Sequence, residues 1–216
     1  DNYYVLITRE NLYTLPYSVE EIYGIDCSGK YHDTRRMYNQ LYHIYSDHQT
    51  LPVVPEKIIT EDSNSGYDFF KAVGDERKIS CESAGGKSNI FHYLEQIGKE
   101  NVCVIADGAA IGPEMDRLYK YALQKKNIYL YLPESFEWLI LQSGLIQDKG
   151  LRAILEHPED YIDSREYFSW ERFFTGLLTE RTKDSYLRYN KGKLNECYLH
   201  EKNKQLILES IKGIKF

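Results

Sequence analysis

Between residues 57 and 142 the chain alternates short apolar runs with longer amphipathic ones, and this alternation limits the available folds more than any other feature. Lys57–Thr60 (KIIT), Lys78–Cys81, Val102–Ala106 (VCVIA) and Ile128–Leu132 (IYLYL) are short runs built on Ile, Val, Leu and Tyr and predict strands. Each is followed by a Gly, Ser or Pro turn and a stretch with helical spacing: 66–73, 88–97, 113–124 with Pro113 in its first turn, and 134–142. A connection containing a helix joins parallel strands, so the fold class is α/β, with a mainly parallel sheet covered by helices on both faces. In such a Rossmann-like sheet, ligands bind beyond the carboxyl ends of the strands.

The flanks read differently. Residues 1–50 predict an N-terminal segment: a strand over 2–9, a second near 22–26, and a helix around 34–45 whose Met37, Leu41, Ile44 and Tyr45 form one apolar stripe. Two prolines make 51–55 the expected linker, so the α/β domain is assigned to 51–147. Residues 148–216 predict a helical C-terminal region with helices over 151–155, 168–178 and 203–214. Because the chain opens at Asp1 and enters a strand at once, a preceding segment is expected.

Acidic residues follow three of the four predicted strands. Glu61 and Asp62 come after KIIT, Asp107 after VCVIA, and Glu134 and Glu137 after IYLYLP. Strand ends of a parallel sheet share one edge, so these carboxylates can converge there. Mg²⁺ takes hard oxygen ligands, often one or two carboxylates completed by water and substrate phosphate, which makes the cluster a candidate Mg²⁺ site for phosphoryl transfer. An Asp at a strand end also serves commonly as a turn or helix cap.

IITEDSNSGYDFF, CESAGGKSNI, VIADGAAIG and LPESFEWLI together resemble the Toprim domain of topoisomerases, primases and overcoming-lysogenization-defect nucleases, over residues 56–145. The resemblance places Glu61 at the family's strand-end glutamate and Asp107 at the first Asp of its Asp-x-Asp motif. It implies metal-dependent phosphodiester hydrolysis or sensing of nucleic acid, with Glu61 as general base or ligand, Asp107 as principal ligand and Glu137 or Glu134 as supplementary ligand. An ATPase part elsewhere in a larger protein is also implied. Ala109 departs from the pattern, standing where the second Asp of the motif belongs, which removes one expected oxygen. That departure leaves open a Toprim-like module without chemistry that binds a protein partner or a second copy of itself.

A third reading starts from Gly85, Gly86, Lys87 and Ser88, which stand between strand and helix where a phosphate-binding loop lies. The complete motif has a glycine at the position of Cys81, so the loop is incomplete, and a plain glycine turn with Ser88 capping the helix is the alternative. The six histidines show no metal-ligand spacing, and no Gly-x-Ser-x-Gly elbow is present.

Composition narrows the partners. No apolar run approaches the roughly eighteen residues of a membrane helix. The four cysteines are far apart and form no Cys-x-x-Cys pair, which predicts free thiols and a cytoplasmic protein. Net charge is −6, yet from residue 181 onward the balance is +5, leaving −11 for the rest. A phosphate backbone along the C-terminal helices, or merely a solvated basic face, is compatible with that asymmetry. Twenty tyrosines favour half-buried interfaces.

Overall fold

The computed structural model describes residues 23–27, 36–40, 52–108, 110–163 and 165–216. Strands β1 (Tyr23–Cys27) and β2 (Arg36–Gln40) pair antiparallel, with Tyr23 opposite Gln40 and Cys27 opposite Arg36. The expected helix around 34–45 is therefore corrected over 36–40. Its stripe has helical spacing, but the peptide groups of β2 find partners in β1, and a non-local ladder of this kind overrides local periodicity. The expected strand over 2–9 lies outside the described residues.

From residue 57 the predicted alternation is present: β3 (Lys57–Thr60), α1 (Ser65–Arg77), β4 (Ser80–Ser83), α2 (Lys87–Glu95), β5 (Val102–Ile105), α3 (Gly112–Gln124), β6 (Ile128–Tyr131) and α4 (Phe136–Gln142). The four strands form one parallel sheet in the order β4-β3-β5-β6. After β4 the chain crosses back over β3 to reach β5, so the winding reverses between β3 and β5, and a crevice opens beyond their carboxyl ends. Thr60 is in register with both Ser83 and Ile105, and Ile105 with Tyr131, so the strands end level along one rim.

Both faces of the sheet are covered, because neighbouring strand residues point to opposite sides. Ile58, Cys103 and Ile105 face a core made with Phe69, Phe70 and Val73 of α1 and Leu139 and Ile140 of α4. Ile59, Val102 and Val104 face a second core with Ile90 and Leu94 of α2 and Met115 and Leu118 of α3. The later elements, α5 (Leu151–Glu156), α6 (Trp170–Thr182) and α7 (Glu201–Glu209), join the first core through Ile154, Phe174, Leu178 and Ile207. A short 3₁₀ turn, Glu196–Leu199, adds the fully buried Tyr198. The helical third thus packs its apolar stripe onto the face that α1 and α4 already cover. Val53, in the expected linker, is stitched in as well: its amide donates to the Gly213 carbonyl (2.9 Å) and its own carbonyl accepts from Lys215 (2.8 Å).

Element ends shift for local reasons. Lys78, expected to open a strand, adopts a left-handed conformation (φ 59°) that caps α1, so β4 starts at Ser80. Residue 134 precedes α4, whose N-cap is Ser135, accepting the Trp138 amide. Helix α7 stops at Glu209, before Gly213 turns the chain at φ 78°. Among the described residues no helix is long and apolar enough to cross a membrane. Burial pushes the Cys81 thiol up to about 12 and Cys103 further in the same direction, so both are poor nucleophiles.

Gly74 is required by packing. A Cβ at this position would lie 2.6 Å from the Ile79 carbonyl oxygen, in the turn that brings β4 beside α1, and 3.3 Å from the Cys81 Cβ. Gly74→Ala gains about 1 kcal/mol of helix propensity, but the backbone must move to clear the carbonyl. The expected net result is a loss of about 1–2 kcal/mol in urea unfolding. A neutral or stabilised variant would show that the α1–β4 turn yields at no cost.

Candidate functional site

The rim is built by backbone before side chains enter. Glu61 extends the ladder beyond β3 by donating its amide to the Ile105 carbonyl (3.0 Å), and its carbonyl accepts the Gly86 amide (2.7 Å). Its carboxylate then accepts the Asp107 amide through Oε2 (3.1 Å). Glu61 and Asp107, 46 residues apart in sequence, are therefore joined across the point where the winding reverses. Asp62 is not part of this: its carboxylate is turned back onto Asn64, accepting the backbone amide and the side-chain Nδ2.

Glu61 and Asp107 line a pocket whose polar walls also include Thr60, Asp62, Asn64, Ser65, Glu137 and Lys191, over a floor of Phe70, Ile105 and Phe136. Glu137, in the first turn of α4, is buried and accepts a hydrogen bond from the Tyr189 hydroxyl (2.7 Å). That hydroxyl has one proton to give, so the Ser65 hydroxyl, 2.6 Å away, donates to the Tyr189 oxygen. Lys191 Nζ is held by Glu171 of α6, and the Lys191 carbonyl accepts the Ser65 amide (3.0 Å). The segment after α6 is thereby fastened over the rim, and the Leu194 amide bonded to Asp68 (3.1 Å) holds its far side.

The electrostatics follow from crowding carboxylates in a partly dry place. Burial is the main cause that raises the Asp107 pKa well above the usual carboxylate range, and Glu137, Glu171 and Glu61 add to it against Lys191. Burial also raises Glu61, opposed by the Asp107 amide and Lys87 and assisted by Asp62 and Glu171. Burial works against the Lys191 charge, yet the Glu171 hydrogen bond and the Glu137, Glu171 and Asp107 carboxylates raise its pKa overall.

Of the expected ligands, Glu61, Asp107 and Glu137 share this pocket, while Glu134 does not line it. Pro133 lines the pocket and Ser135 caps α4, so Glu134 between them is directed elsewhere, into a buried position where its Oε2 has no hydrogen-bond partner. Among the described residues no group of three or more His, Cys, Asp or Glu is arranged to enclose an ion. Glu61 and Asp107 are joined on the pocket wall only through the Asp107 amide, and an open Mg²⁺ site takes one or two carboxylates, with water and substrate completing its shell.

The glycine turn offers less to a phosphate than its sequence predicts. Gly85 and Gly86 both take positive φ, as a tight turn demands, but the Gly85 amide is spent on the Ser83 hydroxyl (3.1 Å) and the Gly86 amide on Glu61. Gly86 is the N-cap of α2, so Ser88 lies inside the helix instead of capping it. Lys87 reaches across to the Ala110 carbonyl (2.9 Å), ending close enough to Glu61 to lower that carboxyl's pKa.

Sequence reasoning missed Tyr189, Lys191 and Glu171. A short basic, glycine-containing stretch (NKGK, 190–193) was the only local signal, and no spacing rule ties it to a strand end more than a hundred residues earlier. Set against protein-family models, curated proteins and solved structures, the chain matches none of them.

Proposed function

We propose that the rim pocket is a Toprim-like, Mg²⁺-dependent site that acts on phosphodiesters of nucleic acid. The observation that carries this reading is the Glu61 carboxylate bonded to the Asp107 amide at the point where the sheet's winding reverses. Two further features support it: Glu137 on the same wall, and the Glu61 and Asp107 pKa values raised by burial and by neighbouring carboxylates, a tension that a divalent cation relieves. Glu61 and Asp107 would hold the ion, with Glu137 supplementary. Bound Mg²⁺ supplies charge neutralisation at a phosphate oxygen.

The chain's own residues do the rest. Fixed through one oxygen by the Asp107 amide, the Glu61 carboxylate keeps its orientation, and its raised pKa suits it to accept a proton from an attacking water. Lys87, already on the rim beside Glu61, offers a positive charge to the phosphate. The apolar floor of Phe70 and Phe136 limits water at the reacting centre.

Mn²⁺ titrated calorimetrically into the intact protein is expected to bind with a roughly millimolar or tighter Kd, and Glu61→Gln with Asp107→Asn to abolish the signal. Because both carboxyls hold protons more tightly than usual, protons compete with the ion, and affinity rises with pH through the range in which they ionise. Wild-type protein that takes up no Mn²⁺ at any pH between about 6 and 8 removes this function.

A further inference from the structure

The pocket already holds one cation of its own. Lys191 is the basic side chain of its wall, about a third exposed, paired with Glu171 in a pocket that Asp107 and Glu137 also line. Its backbone is not free to retreat: the Lys191 carbonyl is tied to the Ser65 amide, and Tyr189, two residues earlier, is pinned through its hydroxyl to Ser65 and Glu137 and through its amide to the Thr182 hydroxyl (3.0 Å). The main chain fixes where the side chain starts, while its four-carbon stem leaves the ammonium several positions. Such an arrangement balances buried acids without a metal.

We infer that Lys191 is a built-in counter-ion of the rim pocket, which neutralises its carboxylates in the metal-free protein and competes with a divalent cation for them. This rests on the proposed metal site and adds a positioning residue that sets its affinity. Entry of a dication brings two positive charges to carboxylates that one ammonium was serving, so the ammonium is repelled and turns fully to Glu171 or outward to an anion. Lys191 thereby makes occupation by metal and occupation by a phosphate mutually favourable, since the displaced ammonium is left without its share of carboxylate charge.

The test is Mn²⁺ calorimetry on the intact chain, comparing wild type with Lys191→Met and Glu171→Gln. Removing the competitor is expected to tighten Mn²⁺ binding roughly tenfold, whereas Glu171→Gln, which releases Lys191 toward Asp107 and Glu137, weakens it several-fold. A purely structural role would shift both variants in the same direction. Thermal unfolding gives a second readout: metal-free Lys191→Met is expected to melt below wild type, and saturating Mn²⁺ to restore it to wild type or above. If Lys191→Met does not fold, Lys191→Gln replaces it. Wild-type protein that binds Mn²⁺ while the Lys191 variant binds equally or more weakly overturns the counter-ion role and leaves the metal site standing. Folded wild type and variants that all fail to bind remove both.

Discussion

Tyr189→Phe is expected to lower the unfolding free energy by about 2–4 kcal/mol while changing almost no volume, because two buried polar groups lose their partner together. Glu137 is 2% exposed and Tyr189 3%. Removing the hydroxyl strips Glu137 Oε1 of a donor at 2.7 Å and leaves the Ser65 hydroxyl, itself 1% exposed, without its acceptor at 2.6 Å. A buried carboxylate deprived of its donor costs more than an ordinary lost hydrogen bond, since the charge stays in the dry interior. Urea unfolding of Tyr189→Phe, Glu137→Gln and the double variant measures the coupling. The double variant is expected to be clearly more stable than the sum of the two single losses implies, as the uncompensated charge is then absent. Tyr161→Phe, at a half-exposed tyrosine, serves as the control and is expected within about 0.5 kcal/mol of wild type. A Tyr189→Phe loss as small as the control's would mean that the C-terminal segment is not fastened to the rim by this bond.

Glu134→Gln is expected to do the opposite and stabilise the protein at neutral and higher pH. Glu134 is 5% exposed, its Oε2 has no partner, and burial raises its pKa to about 7. Below the ordinary carboxyl pKa both folded and unfolded chains carry the proton, and the residue costs nothing beyond its burial. As pH rises from about 4.5 toward 7, the unfolded chain ionises first while the folded chain keeps its proton, so Glu134's contribution to stability falls by about 1.4 kcal/mol per pH unit. Above the folded pKa the full penalty of about 3 kcal/mol is present. Glutamine keeps the shape and never ionises. The variant's advantage is therefore expected to be small near pH 4.5 and to reach about 3 kcal/mol by pH 8, measured as the difference between two urea-unfolding series across that range. An advantage independent of pH would show that Glu134 does not titrate in this window.

The two acids after β6 show how far a sequence can be read. Both Glu134 and Glu137 follow a strand, and nothing in their order distinguishes a pocket residue from one buried elsewhere. The distinction comes from Ser135: once it caps α4, Glu137 falls in the first turn, on the pocket wall, and Glu134 falls before the helix, away from it. Capping was legible as a rule, but which of several nearby polar residues takes the cap depends on how the helix docks on the sheet. Glu61 and Asp107 were legible as a pair because both immediately follow short apolar strands, and parallel strands in register must bring their next residues to one edge.

Arg36–Gln40 and the segment after α6 mark the other side of that boundary. A helical stripe predicted helix where the structure has a strand, since the partner that decides is Tyr23–Cys27 and not any neighbour within a turn. Lys191 and Tyr189 carry no periodicity at all, Glu171 sits in a predicted helix that nothing local ties to the rim, and all three are brought there only because Phe174, Leu178 and Tyr198 bury themselves against the face that α1 and α4 already cover.

What the sequence determined by itself was the alternation of strand and helix, the parallel sheet that it requires, and the rim to which Glu61 and Asp107 belong. Those properties follow from local periodicity, turn residues and the fixed geometry of a parallel ladder. The tertiary structure alone decided that a lysine from the last third stands among those acids. That choice depends on which apolar surfaces meet across the whole chain, and no local pattern encodes it.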